Sequence, residues 1–293
     1  MKGQDMDVRS ILIGLAFAFM WSSAFTSARM IVADAPPLYA LSLRFLISGL
    51  IGIAIARALG QSWNLTPGQW RATIIFGITQ NALYLGLNFV AMQTVEASLA
   101  AIIASTMPLL VALFGWLILR ERLRPMAVAG LVAGFAGVAV IMGARITGGV
   151  DLFGVALCVL GVISLTAATL SVRVASGAGG NLLMIVGLQM LVGSAMLIGP
   201  AMLLEVPEVN WTWQLVGAFS YTVLVPGLAA TWVWFLLVGR IGAVKSATFH
   251  FLNPFFGVAV AALLLSESLG IFDVIGVLVI MAGILAVQRS RIG

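Results

Sequence analysis

The side chains best suited to chemistry lie in one apolar stretch, FHFLNPFFG, at residues 249–257. It holds the only histidine of the chain, His250, with Asn253 three residues later. An imidazole and an amide can each donate and accept a hydrogen bond, and the imidazole can also take a proton near neutral pH. Ser246, His250 and Asn253 are spaced i, i+4 and i+7, so they share one face of an α-helix. This pattern predicts a neutral polar site that binds a small molecule through hydrogen bonds.

A second polar face consists of Asn81, Tyr84 and Asn88, which are spaced i, i+3 and i+7. Polar groups inside an apolar helix usually face the bundle interior or a cavity, and hydrogen bonds between neighbouring helices are the plain alternative. Because the chain has two such faces, we favour a cavity and predict the residues of both faces to bind substrate. Trp21, deep in another apolar run, is predicted to contact the apolar part of that substrate.

Two prolines, Pro108 and Pro254, each interrupt an apolar run near its middle. Proline removes a backbone hydrogen bond and frees the carbonyl group four residues earlier, which for Pro254 is that of His250. In lipid, a free carbonyl costs several kcal/mol unless another group satisfies it. We therefore expect two kinks that border a wet cavity and act as hinges. A static kink that only helps packing is the alternative.

The carboxylates all lie at or near the ends of apolar runs, so none is placed to relay protons at mid-membrane depth. Glu121 and Glu267 each end a run, where the helix dipole disfavours an anion, and both are predicted to be structural or gating ties. Arg44 lies inside a run. For Arg44 we favour a side chain that extends to the membrane surface over one that meets a substrate carboxylate.

The apolar runs that carry these residues predict ten membrane-spanning helices. Of 293 residues 62% are hydrophobic and only 9% are charged, whereas a soluble domain is about 25% charged. A bilayer core requires about 20 apolar residues per helix, and ten runs approach that length. The runs cover roughly 10–32, 37–57, 70–92, 97–119, 125–143, 152–171, 181–204, 213–237, 242–265 and 271–288.

Positive charge predicts the orientation of these spans. If the N-terminus is cytoplasmic, the outer segments hold only Arg29 and Arg145, and Arg44 lies within the second span. All the others of the 15 Lys and Arg residues then face the cytoplasm, from Lys2 at one end to Arg291 at the other. Both termini are therefore predicted to be cytoplasmic. The basic residues are scattered singly, which argues against a nucleic-acid partner.

A shift of 146 positions aligns the two halves of the sequence, 1–146 and 147–293. Each half holds five runs, and an odd number inverts the second copy in the membrane. Inverted repeats with a binding site near the bilayer midplane are typical of transporters. The aligned pairs include Pro108 with Pro254, Glu121 with Glu267, Gly130 with Gly276, and Gly137 with Gly283.

The same residues resemble the drug/metabolite transporter superfamily, in its EamA-type branch. That family has a proline in its fourth and ninth helices followed by a helix-terminal glutamate, as in Pro108…Glu121 and Pro254…Glu267. WSSAF at residues 21–25 is similar to the family's Trp-Gly-x-x-Phe, with Ser22 where glycine is usual, and Arg44-Phe45 fits the second helix. The resemblance covers essentially the whole chain. It implies an all-α integral membrane fold of ten transmembrane helices in two inverted, EamA-like five-helix repeats, with helices 1, 3, 4, 6, 8 and 9 lining the cavity.

We therefore expect a secondary transporter in a bacterial-type inner membrane that works by alternating access. Amino acids or similar small amphipathic metabolites are the expected cargo, with export as the favoured direction. Among bacterial members, the YddG-type amino acid exporters are compared first, on size and general character. A carrier of drugs or of other metabolites from the same superfamily is the alternative.

A membrane-embedded enzyme is the remote alternative, because the chain has one histidine, one cysteine and no mid-span carboxylate pair. Cys158 excludes an intramolecular disulfide and a cysteine-based metal site, and no metal or cofactor is expected. The expected partners are a small-molecule substrate and the lipid bilayer. A monomer is expected, and the small-residue face of Gly130, Gly134 and Gly137 offers a dimer contact as the alternative.

Overall fold

The structure, a computed structural model, describes residues 7–118, 120–174 and 181–290. Within these ranges nine helices are long and apolar enough to cross a membrane. They are α1 (Val8–Asp34), α2 (Pro37–Ala58), α3 (Pro67–Ala91), α4 (Ala97–Leu117), α5 (Pro125–Thr147), α6 (Leu152–Val174), α7 (Leu182–Leu204), α8 (Trp213–Ile241) and α10 (Ile271–Ser290). The ninth predicted span, α9, consists of three shorter pieces, Ala243–Thr248, Phe249–Leu252 and Asn253–Leu265. The all-helical membrane fold is therefore confirmed in the described residues, with nine helices of full spanning length and the shorter α9 at the place of the tenth predicted span. Lys2 and Arg291, which the charge pattern assigns to the cytoplasm, lie outside the described residues.

Proline marks where several spans begin. Pro37, Pro67 and Pro125 each occupy the first turn of a helix, where an amide N–H would have no intrahelical partner and its loss costs little. At α3, Thr66 completes the start with a capping box. Its hydroxyl accepts a hydrogen bond from the Gln69 N–H at 3.3 Å, and its own N–H donates to the Gln69 side chain at 2.9 Å.

The two predicted kinks are breaks between helical pieces. In α4 one α-helix ends at Ser105 and a second starts at Met107, while in α9 a 3₁₀ turn, Phe249–Leu252, separates two α-helical pieces. Pro108 and Pro254 lie in the first turn of the piece that follows each break, a position that suits proline. The prediction that the His250 carbonyl is free is wrong. In the 3₁₀ turn this carbonyl accepts a hydrogen bond from the Asn253 N–H.

Two wide turns were not predicted from the sequence. Gly77–Leu85 in α3 and Val225–Ala229 in α8 are π-helical. The shift of 146 positions that aligns the sequence halves brings residues 79–83 onto 225–229, so the third and eighth spans have the same irregularity at the same place. Segments of this kind widen a helix locally and are frequent at functional sites.

Contacts divide the chain into two compact units, which are described separately. Unit 1 consists of Met1–Thr26, Glu96–Leu152 and Val225–Gly293, and unit 2 of Ser27–Val95 and Phe153–Leu224. Each unit takes segments from both sequence halves, and the unit boundaries fall inside α1 and α8. The compact units therefore differ from the division at 146/147, which describes similarity along the sequence and stays a prediction as a domain division.

In unit 1, glycines allow α5 and α10 to pack backbone against backbone. A Cβ atom added to Gly130 would lie 2.7 Å from the carbonyl oxygen of Gly283, and one added to Gly137 would lie 2.8 Å from that of Gly276. The two contacts make the helices antiparallel. The 146-residue shift takes Gly130 to Gly276 and Gly137 to Gly283, so each of the two contacts is the repeat counterpart of the other. This is the contact pattern of an inverted repeat. Since these glycines, with Gly134 packed on Leu109, are used within the chain, the alternative of a dimer contact through them is wrong.

In unit 2, α2 and α7 cap each other's first turn. The Glu205 carboxylate, which follows α7, accepts hydrogen bonds from the N–H groups of Leu38 (2.8 Å) and Tyr39 (3.1 Å). Gln61 follows α2, and its side chain accepts a hydrogen bond from the Met184 N–H at 3.0 Å. These side chains satisfy helix N-termini that have no intrahelical acceptors. Leu38 and Met184 are again 146 residues apart, so the two caps are counterparts.

Candidate substrate site

Unit 1 contains a cluster of aromatic rings around His250. The imidazole centroid lies 5.2 Å from the ring centroid of Phe17, 5.4 Å from that of Trp234 and 6.1 Å from that of Trp21. Phe17 and Trp21 each meet the imidazole nearly edge to face, with interplanar angles of 90° and 87°. Phe17 also contacts Trp234 at 4.8 Å. We call these four residues, with Asn253, the His250 cluster.

The chain builds this cluster from α1, α8 and α9. On α1, Gly14, Phe17 and Trp21 are spaced i, i+3 and i+7 and so share one face. Gly14 has no side chain, and the Phe249 ring packs directly on its backbone where a Cβ atom would clash. This close approach brings the 3₁₀ turn of α9 against α1. Trp234 arrives from α8, beyond the π-helical turn of that helix.

The polar part of the cluster is the imidazole of His250 together with the amide of Asn253. The Asn253 amide nitrogen lies 3.0 Å from His250 Nδ1, so the amide can donate to an unprotonated imidazole nitrogen. The contact joins residues i and i+3, whose side chains a 3₁₀ turn places one above the other. Among the described residues, none offers a hydrogen-bond partner to Asn253 Oδ1. The pair therefore keeps hydrogen-bonding capacity beside aromatic walls.

Ser246 is not part of this pair. Its hydroxyl donates to the Gly242 carbonyl at 2.8 Å, one turn earlier in the same helix, and its side chain is fully buried. The predicted i, i+4, i+7 face assumed a continuous α-helix. Because the helix tightens to 3₁₀ at Phe249–Leu252, only His250 and Asn253 are brought into contact.

Two hydroxyls of α1 were missed as candidates. Ser22 and Thr26 are one turn apart and each is 1% exposed, and no described residue partners Ser22 Oγ or Thr26 Oγ1. Such buried hydroxyls usually find a partner, so they mark a polar strip along the helix that carries Trp21. The run of small hydroxyl residues after Trp21 was the available sequence signal.

The second predicted polar face lies in unit 2 and makes bonds within it. The Asn81 amide donates to the Gln189 carbonyl of α7 at 2.9 Å, and the Asn88 amide donates to the Tyr84 carbonyl at 2.8 Å. All three side chains of this face are buried. Asn81 therefore links α3 to α7, which agrees with the alternative expectation that these polar residues form hydrogen bonds between helices. A substrate contact from this face stays a prediction.

The position of Glu267 is explained by the groups that its carboxylate binds. Glu267 follows α9 but accepts hydrogen bonds from the N–H groups of Ala97 (2.8 Å) and Ser98 (2.9 Å), at the start of α4. An anion is stabilised at a helix N-terminus, so the unfavourable position at the end of its own helix is offset. Ser266, just before it, has a left-handed φ of 56° that turns the chain, and Arg120, just before Glu121, has the same φ. The two glutamates thus follow equivalent turns.

Arg145, at the end of α5, is held by two further carboxylates. It donates to Asp273 at 3.1 and 3.0 Å and pairs with Glu96. Glu96 directly precedes α4, and Asp273 lies in the first turn of α10. This ion cluster joins ends of three helices of unit 1. Within the described part of the chain, no group of three His, Cys, Asp or Glu side chains is arranged to hold a metal ion.

Glu267→Ala should destabilise the protein by about 1–2 kcal/mol, because it removes a charged cap from α4. Glu267→Gln should recover part of this loss, since the amide oxygen still accepts. Thermal unfolding in detergent measures both, with Glu208→Ala as the control because Glu208 is exposed. A Glu267→Ala protein as stable as the control would contradict the tie.

A transporter family and several proteins named as transporters or exporters are similar to this chain. The model of the EamA-like transporter family matches it at residues 8–143 and again at 152–288. The uncharacterized transporter YvbV of Bacillus subtilis (strain 168) is 28% identical over 284 residues, which cover 96% of this chain and 92% of YvbV. The aromatic amino acid exporter YddG of Ancylobacter novellus is 34% identical over 137 residues, which cover 47% of each chain.

A solved structure agrees in fold. It superimposes with a TM-score of 0.71 and covers 98% of this chain and 99% of its own, at 23% sequence identity. With the apolar spans, the family match identifies a multi-pass membrane transporter rather than a membrane enzyme. The chain belongs to the EamA-like transporter family.

Proposed function

We propose that this transporter carries amino acids with large apolar side chains, aromatic ones above all, out of the cell by alternating access. The observation that carries the proposal is the His250 cluster, in which three aromatic rings surround a neutral polar pair. Aromatic rings prefer edge-to-face and offset contacts with one another, so such walls favour an aromatic guest. The local similarity to an aromatic amino acid exporter supports the same cargo.

In this proposal, different residues bind the polar end and the apolar side chain of the substrate. His250 and Asn253 bind the polar end, and Trp21 with Phe17 and Trp234 contacts the apolar side chain. Neutral donors and acceptors suit a zwitterion, because they satisfy both charges without trapping either one. Ser246, Asn81, Tyr84 and Asn88 are kept as predicted contacts along the path.

The breaks in α4 and α9 supply the movement in this proposal. Pro108 and Pro254 start the second halves of these helices, so each half can tilt without losing a hydrogen bond of its own. Glu267 holds the start of α4, and Glu121 is its counterpart in the first half. We assign the prolines as hinges and the glutamates as ties that form and release. The chain would lie in a bacterial-type inner membrane with both termini in the cytoplasm.

Flux into proteoliposomes tests the cargo. Labelled phenylalanine and tryptophan should cross faster than alanine, and Trp234→Ala should lower phenylalanine flux severalfold. Trp232→Ala is the matched control, because Trp232 lies two residues away on α8 but is 59% exposed. Equal flux of all three amino acids, or equal loss in both variants, would contradict an aromatic site.

The same vesicles test the driving force. The carboxylates of the described residues lie at span ends, where Glu96 and Asp273 pair with Arg145 and Glu267 caps α4. Flux should therefore follow the substrate gradient, with at most a modest pH dependence through His250. Strong uphill accumulation under a proton gradient that persists in His250→Gln would overturn this part of the proposal.

A further inference from the structure

Arg44 is a buried cation on α2, within unit 2. Leu41, Arg44, Phe45 and Ser48 are spaced i, i+3, i+4 and i+7 on α2, and all four are less than a tenth exposed. Leu43, Leu46 and Leu50, on the other side of the helix, are exposed. At 6% exposure, Arg44 does not extend to the membrane surface, so that expectation is wrong. The side chain is buried instead.

No described residue satisfies this guanidinium. Its Nε is buried without a hydrogen-bond partner, and its one recorded contact is with the ring of the adjacent Phe45, 5.0 Å from the guanidinium carbon. A guanidinium keeps its charge in proteins and presents five N–H donors. An intramembrane arginine without an anion or carbonyl partner is costly, and residues of this kind mark substrate pathways by default.

The protein cannot supply the anion from the same unit. The acidic residues of unit 2 are Asp34, Glu205 and Glu208, and all of them lie at span ends. Asp34 accepts hydrogen bonds from Asn210 and Thr212. Glu205 caps the start of α2, which is six residues, or about 9 Å along the helix, from Arg44. Glu208 is exposed to solvent.

The position is also specific to one half of the chain. The 146-residue shift places Met190 opposite Arg44, and Met190 is buried at 8% exposure. The same site in the second half therefore packs without a charge. A feature required only by the repeated architecture would not need a cation in one copy alone.

We propose that Arg44 binds the carboxylate of the transported molecule at a separate binding step in unit 2, apart from the contacts assigned to the His250 cluster of unit 1. The planar fork of a guanidinium matches a carboxylate through two parallel N–H···O bonds, which suits recognition better than a point charge does. Naming an amino acid as that molecule rests on the proposed function, whereas the carboxylate chemistry rests on Arg44 itself. Arg44 is then a residue that sets specificity for acids over their neutral amides.

Paired ligands that differ only in the carboxylate test this inference. The full-length protein in nanodiscs is titrated with phenylalanine and with phenylalaninamide, and with 3-phenylpropionate and 3-phenylpropanamide. The wild type should prefer each acid over its amide by about ten- to hundredfold. Arg44→Gln should bring both preferences close to one, and Arg44→Lys should keep part of them. Arg57→Gln, on the same helix but exposed beside Trp63, should keep them in full.

The outcomes separate this inference from the proposed function. Acid preference that survives in a folded Arg44→Gln protein overturns the carboxylate site while leaving amino acid transport intact. Absence of any phenylalanine binding, with 3-phenylpropionate still preferred through Arg44, overturns the cargo and keeps the site. If Arg44→Gln does not fold, thermal stabilisation of the wild type decides the matter. Equal stabilisation by 3-phenylpropionate and 3-phenylpropanamide would refute the carboxylate contact.

Discussion

Gly283→Ala should destabilise the protein by about 3 kcal/mol or more, at the upper end of what overpacking costs. A Cβ atom there would lie 2.6 Å from the Gly130 carbonyl oxygen and 2.7 and 2.8 Å from the Gly134 nitrogen and Cα. All of these are backbone atoms, so no side chain can rotate away. α10 would have to move off α5, and the antiparallel pairing of unit 1 would open. Thermal unfolding and the yield of monodisperse protein measure this effect.

The matched control is Gly143→Ala on α5. Among the described residues, no atom lies within 4 Å of a Cβ at Gly143, and alanine favours a helix by up to about 1 kcal/mol over glycine. The same substitution should therefore leave stability unchanged or raise it slightly. Similar unfolding temperatures for the two variants would show that the close approach of α5 and α10 is not as described.

His250→Ala and Asn253→Ala should each weaken phenylalanine binding severalfold to roughly hundredfold. Losing one hydrogen bond to the substrate costs about 0.5–1.5 kcal/mol, or up to about 3 kcal/mol when the partner is charged, and each 1.4 kcal/mol is tenfold in affinity. Losing the imidazole also removes the ring that Phe17, Trp21 and Trp234 surround. Binding affinity and melting temperature should be measured on the same preparations.

The two measurements separate binding from packing. A histidine that only packs would lower the melting temperature and leave the affinity of the folded fraction unchanged. Thr248→Val is the control within α9, because the Thr248 hydroxyl is already satisfied by the Lys245 carbonyl at 2.6 Å. Unchanged affinity in both His250→Ala and Asn253→Ala would remove the polar half of the proposed site.

The positions of the spans along the chain followed from the sequence because bilayer thickness requires a certain length of apolar chain in each helix. The family pattern followed as well, since Pro108…Glu121 and Pro254…Glu267 recur at a fixed distance. The groups that the glutamate side chains bind could not be predicted from the sequence. Glu267 reaches the N-terminus of α4, about 170 positions earlier in the chain, and sequence spacing carries no information about so distant a partner.

The local helix type was the second feature that could not be predicted from the sequence. The polar face at Ser246, His250 and Asn253 was predicted on an ideal helix, yet the 3₁₀ turn at Phe249–Leu252 joins His250 to Asn253 and leaves Ser246 bonded to its own helix. The π-helical turns of α3 and α8 were likewise invisible, because a change of turn width leaves hydropathy unchanged.

By itself, the sequence determined the membrane location, the number of spans, the internal repeat and the family, because each depends on composition or on residues at fixed separations along the chain. Only the tertiary structure decided which polar groups remain available. It bonds the Asn81 side chain to the Gln189 carbonyl and buries Arg44 with no hydrogen-bond partner in the described parts of the chain. Both are polar residues within apolar runs, and the sequence alone does not distinguish them. The difference arises because a polar group is satisfied or left available by the helix packed against it, and that helix is chosen by the fold.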